Sequence, residues 1–358
     1  MGVDNSLLAR VMDLGEALPE TPVIRLLHPR LDLFCKLEYC NIHGSSKDRS
    51  AYWILRRAIE RGDVTEKTTV IESSSGNFAL SMASFCRLLG LTFVPVIDPN
   101  TNPATEMQLR LLCERVEKVT EADGAGGYLQ VRLARIRRLL TELPAAYWPN
   151  QYANADARQA HERLTGAELC RALERLDYLF VGVSTAGTIA GLSRQAKRAF
   201  PGVRVVAVDS AGSAIFGNPP RRRRIPGLGS SIVPPLLDSA LIDEVVIVEE
   251  ADAVAGCHRL LSEHGIFAGG STGSVYAAIT RYFADYEDFT VPESFTDTRS
   301  FAAAERLTDP GSFQGPASGR PAVAFICADR GVAYADTLYN PEWVRDALGA
   351  ESGMIAGV

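Results

Sequence analysis

Apolar residues along the chain come in two rhythms, and the two alternate. Short continuous runs rich in Val, Ile and Phe predict buried strands, whereas stretches with apolar positions three and four apart predict helices. The run at 33–38 reads as a strand, the run at 68–72 as a second, and a helix over 77–89 follows. A strand at 92–97, a helix around 106–113, a strand at 115–119 and a long helix over 127–140 complete a first series. After Asn150 the rhythm restarts with a helix at 158–176, a strand at 178–183, a helix at 189–200 and a strand at 204–209. A strand at 244–248, a helix at 252–264 and a strand at 322–326 close the second series. Strands alternating with helices imply an α/β protein of two doubly wound parallel lobes with a site in the cleft between them. The expected division is a smaller mobile lobe over 36–145 and a larger lobe formed by 1–35 plus 146–358. Between 288 and 321 the chain turns rich in Thr, Ser, Gly and Pro, which predicts a surface insertion.

With 358 residues and 46% hydrophobic content, the chain has material for two lobes or one large domain. Charged residues make up 22% and the formal net charge is -6, so nothing global points to nucleic acid or to an anionic membrane. No apolar run is long enough to span a bilayer. Asp4, Asp13 and Glu16 interrupt the apolar positions that a secretory leader would need. Met1-Gly2-Val3-Asp4-Asn5-Ser6 formally matches an acylation pattern, but so short a match arises by chance. The cysteines (Cys35, Cys40, Cys86, Cys113, Cys170, Cys257 and Cys327) form no CxxC pair and lie mostly among apolar neighbours. Reduced thiols in a reducing compartment fit best, so a cytoplasmic location is expected. The histidines show no HxxxH or HExxH spacing, and no metal site is expected.

Lys47 is the first candidate for chemistry. It sits in Gly44-Ser45-Ser46-Lys47-Asp48-Arg49, a flexible turn running into an amphipathic helix with Tyr52, Trp53, Leu55 and Ile59 on one side. A lysine at a helix start lies beside amide donors and the positive end of the dipole, where it loses its proton more easily. That is a setting for a Schiff-base lysine. Alone, such a lysine is more simply a solvated surface residue.

Further turns change that balance. Ser184-Thr185-Ala186-Gly187-Thr188 follows a buried strand and opens a helix, offering amides and hydroxyls to a phosphate group. Ser73-Ser74-Ser75-Gly76-Asn77 lies between a strand and a helix and would hold a carboxylate, with Asn77 orienting a cofactor hydroxyl. The plain alternative there is a cluster of helix caps. Asn150-Gln151-Tyr152-Ala153-Asn154 is polar with one aromatic, and Ala268-Gly269-Gly270-Ser271-Thr272-Gly273-Ser274 is another small-residue turn entering a helix. Several such turns point to a site at strand ends, where open α/β sheets bind ligands. The GxGxxG fingerprint is missing at Gly182-Val183-Ser184, which argues against a nicotinamide-dependent oxidoreductase. Arg132 is by default a solvated helix residue. Arg221-Arg222-Arg223-Arg224 is most simply a solvated loop; with no aromatics interleaved it is no nucleic-acid patch, though it would steer anionic substrates.

In this order, Ser46-Lys47-Asp48-Arg49, Ser74-Ser75-Gly76-Asn77, Asn150-Gln151-Tyr152, Ser184-Thr185-Ala186-Gly187-Thr188 and Gly270-Ser271-Thr272-Gly273 form a recognisable set. The set resembles the cysteine synthase and cystathionine β-synthase group, fold-type-II pyridoxal-phosphate enzymes of tryptophan synthase β-like fold. Phe34-Cys35-Lys36-Leu37-Glu38-Tyr39, Gly126-Gly127-Tyr128-Leu129 with Arg132, Ala146-Tyr147-Trp148, Ile215-Phe216-Gly217 and Asp329-Arg330-Gly331 narrow the resemblance. They are similar to the siderophore-pathway members that join O-phospho-L-serine to L-glutamate on the way to 2,3-diaminopropionate.

The resemblance implies pyridoxal 5'-phosphate as cofactor, small amino acids as substrates, β-replacement as the reaction and a homodimer, with no nucleic-acid or membrane partner. It implies Lys47 as the residue that carries the cofactor imine and moves the α-proton, and Asn77 as the partner of the ring hydroxyl. Ser184, Thr185, Ala186, Gly187 and Thr188 would surround the phosphate. Ser74, Ser75, Gly76 and Gln151 would take the substrate carboxylate, while Arg132, Tyr152 and Ser184 would select the substrates. Arg330 stands where cysteine synthases place a serine against the pyridine nitrogen, so a hydroxyl of Ser271, Thr272 or Ser274 is expected in that role. Cysteine synthesis from sulfide, serine/threonine dehydration, and a non-catalytic protein that has kept the fold are the alternatives.

Overall fold

The computed structural model describes residues 6–123, 127–284 and 319–349. Residues 1–5 of the acylation-like pattern, Gly126 and nearly all of the 288–321 insertion lie outside the described residues. The first described element is α1 (Leu7–Ala17), capped by the Ser6 hydroxyl, which accepts from the Ala9 N–H. β1 (Val23–Leu26) and β2 (Asp32–Leu37) follow. α2 (Lys47–Arg61) stops at Gly62, whose φ of 78° closes the helix. Next come β3 (Thr69–Ser73), α3 (Asn77–Leu89), β4 (Thr92–Ile97) and α4 (Pro103–Leu112). β5 (Glu117–Lys118), α5 (Leu129–Glu142), β6 (Ala146–Tyr147), α6 (Ala155–Ala160) and α7 (Gly166–Ala172) continue the chain. The later elements are β7 (Tyr178–Gly182), α8 (Gly187–Ala199), β8 (Arg204–Ser210) and β9 (Glu244–Val248). After them stand α9 (Glu250–His264), α10 (Gly270–Tyr282), β10 (Ala322–Cys327) and α11 (Pro341–Leu348).

These elements form two compact units, Met1–Pro19 with Asn41–Ala160, and Glu20–Cys40 with His161–Val358. The first holds a four-stranded parallel sheet in the order β5-β4-β3-β6. Ile71, Val94 and Val96 on its strands pack against Ile136 and Leu139 of α5. The second holds a six-stranded sheet in the order β1-β2-β10-β7-β8-β9, parallel except for the β1–β2 pair. β10 is buried at every position, and its run Ala-Val-Ala-Phe-Ile-Cys accordingly lacks any charged residue. β2 is buried throughout as well, yet it carries Lys36. Its Nζ donates to the Thr21 carbonyl and pairs with Glu168 Oε2, both at 2.6 Å, as a buried charge requires.

The sequence pattern and the structure differ in several places, and α1 and α11 are elements the pattern does not predict. A continuous helix at 158–176 is expected, but α6 ends at Ala160, His161–Thr165 form a π-helical turn, and α7 covers only Gly166–Ala172. A Cβ on Gly166 would stand 2.9 Å from the His161 carbonyl oxygen and 3.0 Å from Gln195 Cβ on α8. Close packing against α8 therefore sets the break, not the polarity period. The strand expected at 115–119 shrinks to Glu117–Lys118, where the Glu117 carboxylate turns to Arg135 at 2.8 Å. β1 and the two-residue β6 are too short to show a period.

Candidate active site

In the first unit, the turn after residue 44 places Lys47 as the first residue of α2. The Lys47 N–H donates to Ser45 Oγ at 3.3 Å. Asp48, fully buried, accepts from the His43 N–H at 2.7 Å and from the Ser81 hydroxyl of α3, with His43 Nδ1 at 3.3 Å. The first turn of α2 is thus fixed to α3 through the residue next to the lysine. Lys47 itself is half-buried.

β3 ends at Ser73 and α3 begins at Asn77, so Ser74, Ser75 and Gly76 form the turn between them. A Cβ built on Gly76 would meet nothing within 4 Å, which leaves the turn open on that side to an approaching group. Arg132 Nη1 donates to Ser75 Oγ at 3.4 Å, and its Nε lies 3.2 Å from Asp98 Oδ2. The Arg132 side chain is only 13% exposed, which overturns its default reading as a solvated residue.

Glu72 organises this region, and the sequence reading treats it only as a strand end. It is 1% exposed. Its Oε1 accepts from the Ser73 N–H at 2.8 Å and Trp148 Nε1 at 3.0 Å, and its Oε2 accepts from the Gln151 N–H at 3.3 Å. One carboxylate thereby joins the 73–77 turn to the segment carrying Gln151 and Tyr152. Burial pushes Glu72 up to about 7, against the opposing pull of those three donors and of Arg132. A lone acid closing an apolar run just before a serine cluster is the signal that marks it. Asn150, at φ 47°, turns the chain so that Gln151 follows, and the Ala153 and Asn154 N–H groups both donate to its carbonyl at 3.0 Å.

In the second unit, Ser184 and Thr185 follow β7, and Gly187 and Thr188 open α8. Ala186 between them has φ 63°, a left-handed conformation uncommon outside glycine. The N–H groups of a helix start have no acceptor within the helix, so the turn presents donors to an anion. The Ser184 hydroxyl donates to the Gly229 carbonyl at 3.1 Å, and the Gly229 N–H donates to the Val183 carbonyl at 2.7 Å. A Cβ on Gly182 would lie 2.8 Å from Leu228 Cδ1, so only glycine permits this contact. Thr188 Oγ1 lies 3.3 Å from Nε2 of His161, whose Nδ1 is 3.1 Å from Thr165 Oγ1. That ring is 1% exposed and sits in the π-helical turn that the sequence reads as ordinary helix.

The three hydroxyls expected near a pyridine nitrogen separate clearly. Thr272 is fully buried and accepts from the Ala328 N–H at 3.1 Å; Ser274 is 3% exposed and donates to the Gly270 carbonyl at 2.9 Å. Ser271 is half-buried, and its Oγ would stand 4.0 Å from a Cβ on Gly227. The Arg330 guanidinium lies over the Tyr39 ring, 5.2 Å from its centre. Burial foremost holds the Tyr39 phenol up to about 12. Among the described residues, no cluster of His, Cys, Asp and Glu is arranged to hold a metal ion, and no helix is long and apolar enough to cross a membrane.

Parallel α/β sheets, a lysine at a helix start in the first unit and a small-residue turn opening α8 in the second are features expected of an enzyme that holds a phosphorylated cofactor. The model of the family described as pyridoxal-phosphate dependent enzyme matches residues 16–291, and the chain belongs to that family. It is therefore an enzyme of fold type II whose cofactor is pyridoxal phosphate. The N-(2-amino-2-carboxyethyl)-L-glutamate synthase of Ralstonia nicotianae is 39% identical over 339 residues, covering 93% of this chain and 91% of that protein. An O-acetylserine dependent cystathionine beta-synthase from Helicobacter pylori superposes with a TM-score of 0.75 at 22% identity, over 94% of this chain and 99% of that one. A hydrogen sulfide-producing enzyme from Fusobacterium nucleatum gives 0.74 at 21% identity, over 93% and 100%. These two structures bear on the fold alone.

Proposed function

We propose that the protein joins O-phospho-L-serine and L-glutamate by β-replacement, giving N-(2-amino-2-carboxyethyl)-L-glutamate and phosphate for 2,3-diaminopropionate and siderophore synthesis. The observation that carries this reading is the 39% identity, over 93% of the chain, to a protein named for that product. A cytoplasmic homodimer is part of the same reading.

Bound pyridoxal phosphate supplies an electron sink for the substrate α-carbon. Lys47 would hold the cofactor, and its amine would take the substrate α-proton and later return it. The fixed first turn of α2 limits where its amine reaches. The backbone N–H groups of Ala186, Gly187 and Thr188 and the hydroxyls of Thr185 and Thr188 hold the cofactor phosphate, while Ser184 ties that turn to Gly229. Asn77 would orient the ring hydroxyl, and Ser271, the least enclosed of the three hydroxyls, would be the partner of the pyridine nitrogen.

Ser74, Ser75, Gly76 and Gln151 bind the substrate carboxylate. Arg132, beside Ser75, adds the positive charge that two anionic substrates require, and Tyr152 shapes the pocket beside Gln151. Phosphate leaves Cβ with the bonding electrons, the glutamate amine adds to that carbon and loses a proton, and Lys47 reprotonates Cα. Mass spectrometry of the product from phosphoserine and a panel of acceptors tests the reading. A glutamate adduct is expected; cysteine formed from sulfide with no glutamate adduct, or pyruvate formed without an acceptor, overturns it.

A further inference from the structure

The arginine run at 221–224 is no loose solvated loop. Its backbone is tied at both ends: the Arg221 N–H donates to the Gly212 carbonyl at 3.0 Å, and the Arg224 and Ile225 N–H groups donate to Glu250 Oε1 at 2.6 and 2.7 Å. The four side chains then divide. Arg223 is half-buried and donates to the Leu228 carbonyl at 2.7 Å, bracing the segment that holds the 184–188 turn. Arg221, Arg222 and Arg224 are exposed and line a cavity of about 270 Å³ together with Glu249, Glu250 and Leu348.

Many arginines among the described residues pair with a carboxylate, as Arg10 does with Glu66, Arg25 with Asp32, Arg61 with Asp156, Arg135 with Glu117 and Arg259 with Glu263. Among the described residues, no carboxylate lies within ion-pair distance of Arg221, Arg222 or Arg224, although two glutamates border the same cavity. Glu250 is occupied by the two backbone donors. Three guanidinium groups around one hollow, outnumbering its two glutamates and in ion-pair contact with neither, attract anions, and each offers a planar fork matched to phosphate or carboxylate oxygens. In a protein of net charge -6 this local excess is not a by-product of composition.

We propose that this cavity binds a compact anion of two or more charges, a small phosphate- or carboxylate-bearing molecule, through Arg221, Arg222 and Arg224. None of these residues belongs to the reaction machinery, so the proposal stands or falls apart from the product assigned above. Calorimetric titration of the cofactor-loaded enzyme with inorganic pyrophosphate and with citrate tests it. Saturable binding that weakens as salt rises is expected, about tenfold weaker or more when all three arginines become alanine. Glu249→Gln removes a like charge from the rim and is expected to tighten binding about threefold. Stronger binding of pyrophosphate identifies a phosphate ligand, and stronger binding of citrate identifies a polycarboxylate. Equal affinity in wild type and triple variant, no binding of either probe, or weaker binding in Glu249→Gln overturns the proposal.

Discussion

The 73–77 turn of the first unit resembles the 184–188 turn of the second in composition, yet the two are held by different forces. Both are small, hydroxyl-rich links from a strand to a helix. The first is centred on a buried carboxylate, Glu72, which gathers Ser73, Trp148 and Gln151. The other contains no charged side chain: a left-handed alanine shapes it, Ser184 ties it to Gly229, and His161 meets Thr188. Each region also contains one of the two non-glycine residues at positive φ among the described residues, Asn150 in the first unit and Ala186 in the second. Backbone strain of this kind gathers where a ligand fixes the geometry. A turn built around a buried carboxylate responds to pH through that group; one shaped by a left-handed alanine and hydroxyls has no carboxylate at its centre. That contrast suits the roles proposed for them, changing substrates at the first and one permanent phosphate at the second.

The coarsest division comes from removing the proposed covalent anchor. Lys47→Ala takes away the only residue assigned to move the α-proton, so turnover is expected to fall by about a thousandfold or more. The 184–188 turn does not involve that amine. Pyridoxal phosphate should therefore still bind the variant, detectable as quenching of tryptophan fluorescence, but without a covalent adduct after borohydride reduction. Loss of all cofactor binding would mean that the phosphate turn does not act on its own.

Glu72 gives the next largest effect. Its carboxyl is raised from 4.5 to about 7 in the folded protein. Between those values the folded state binds more protons than the unfolded chain, so stability is greatest below pH 4.5 as far as this group is concerned and falls as pH rises through 7. The full loss is on the order of 3 kcal/mol. Urea titrations across that range should show the slope in wild type and a flatter profile in Glu72→Gln. The same substitution leaves one of the three donors facing an amide N–H. The KM for phosphoserine should then rise about tenfold with kcat changed much less, while cofactor affinity stays as it was. A fall in cofactor affinity instead would erase the distinction between the two turns.

Why the two turns had to be told apart by structure is plain from their residues. The alternation of apolar runs revealed the strands and helices because a parallel sheet covered on both faces leaves its central strands no polar positions, as in β10. The positions of Lys47 and Ala186 relative to helix starts were legible for the same reason: small and hydroxyl residues sit where a helix begins. Glu72 was marked only by its place at the end of an apolar run; its role was hidden, since its partners Trp148 and Gln151 lie more than seventy residues away and burial is a tertiary property. The break at His161–Thr165 was hidden too, because it follows from the closeness of Gly166 to α8 and not from any local period. Nor does sequence separate Arg223 from its three neighbours; only the direction of each side chain does.

The mildest test compares the two left-handed residues. Asn150 tolerates φ 47° because a short polar side chain eases that conformation, so Asn150→Ala is expected to cost about 1 kcal/mol in urea unfolding. At Ala186 three effects oppose one another. Glycine removes a left-handed penalty of about 1–2 kcal/mol, but it loses chain entropy worth about 0.5–1 kcal/mol and one buried methyl worth about 0.8 kcal/mol. Ala186→Gly should therefore leave stability within about 0.5 kcal/mol of wild type. Its cofactor affinity should drop about twofold, since glycine holds the turn less firmly. Ala186→Val carries the strain of a β-branched residue at φ 63° and should lose more than about 1 kcal/mol. If glycine proved as destabilising as valine, packing of the methyl would be shaping the turn, and the contrast between a strain-built and a charge-built site would fail at the second unit.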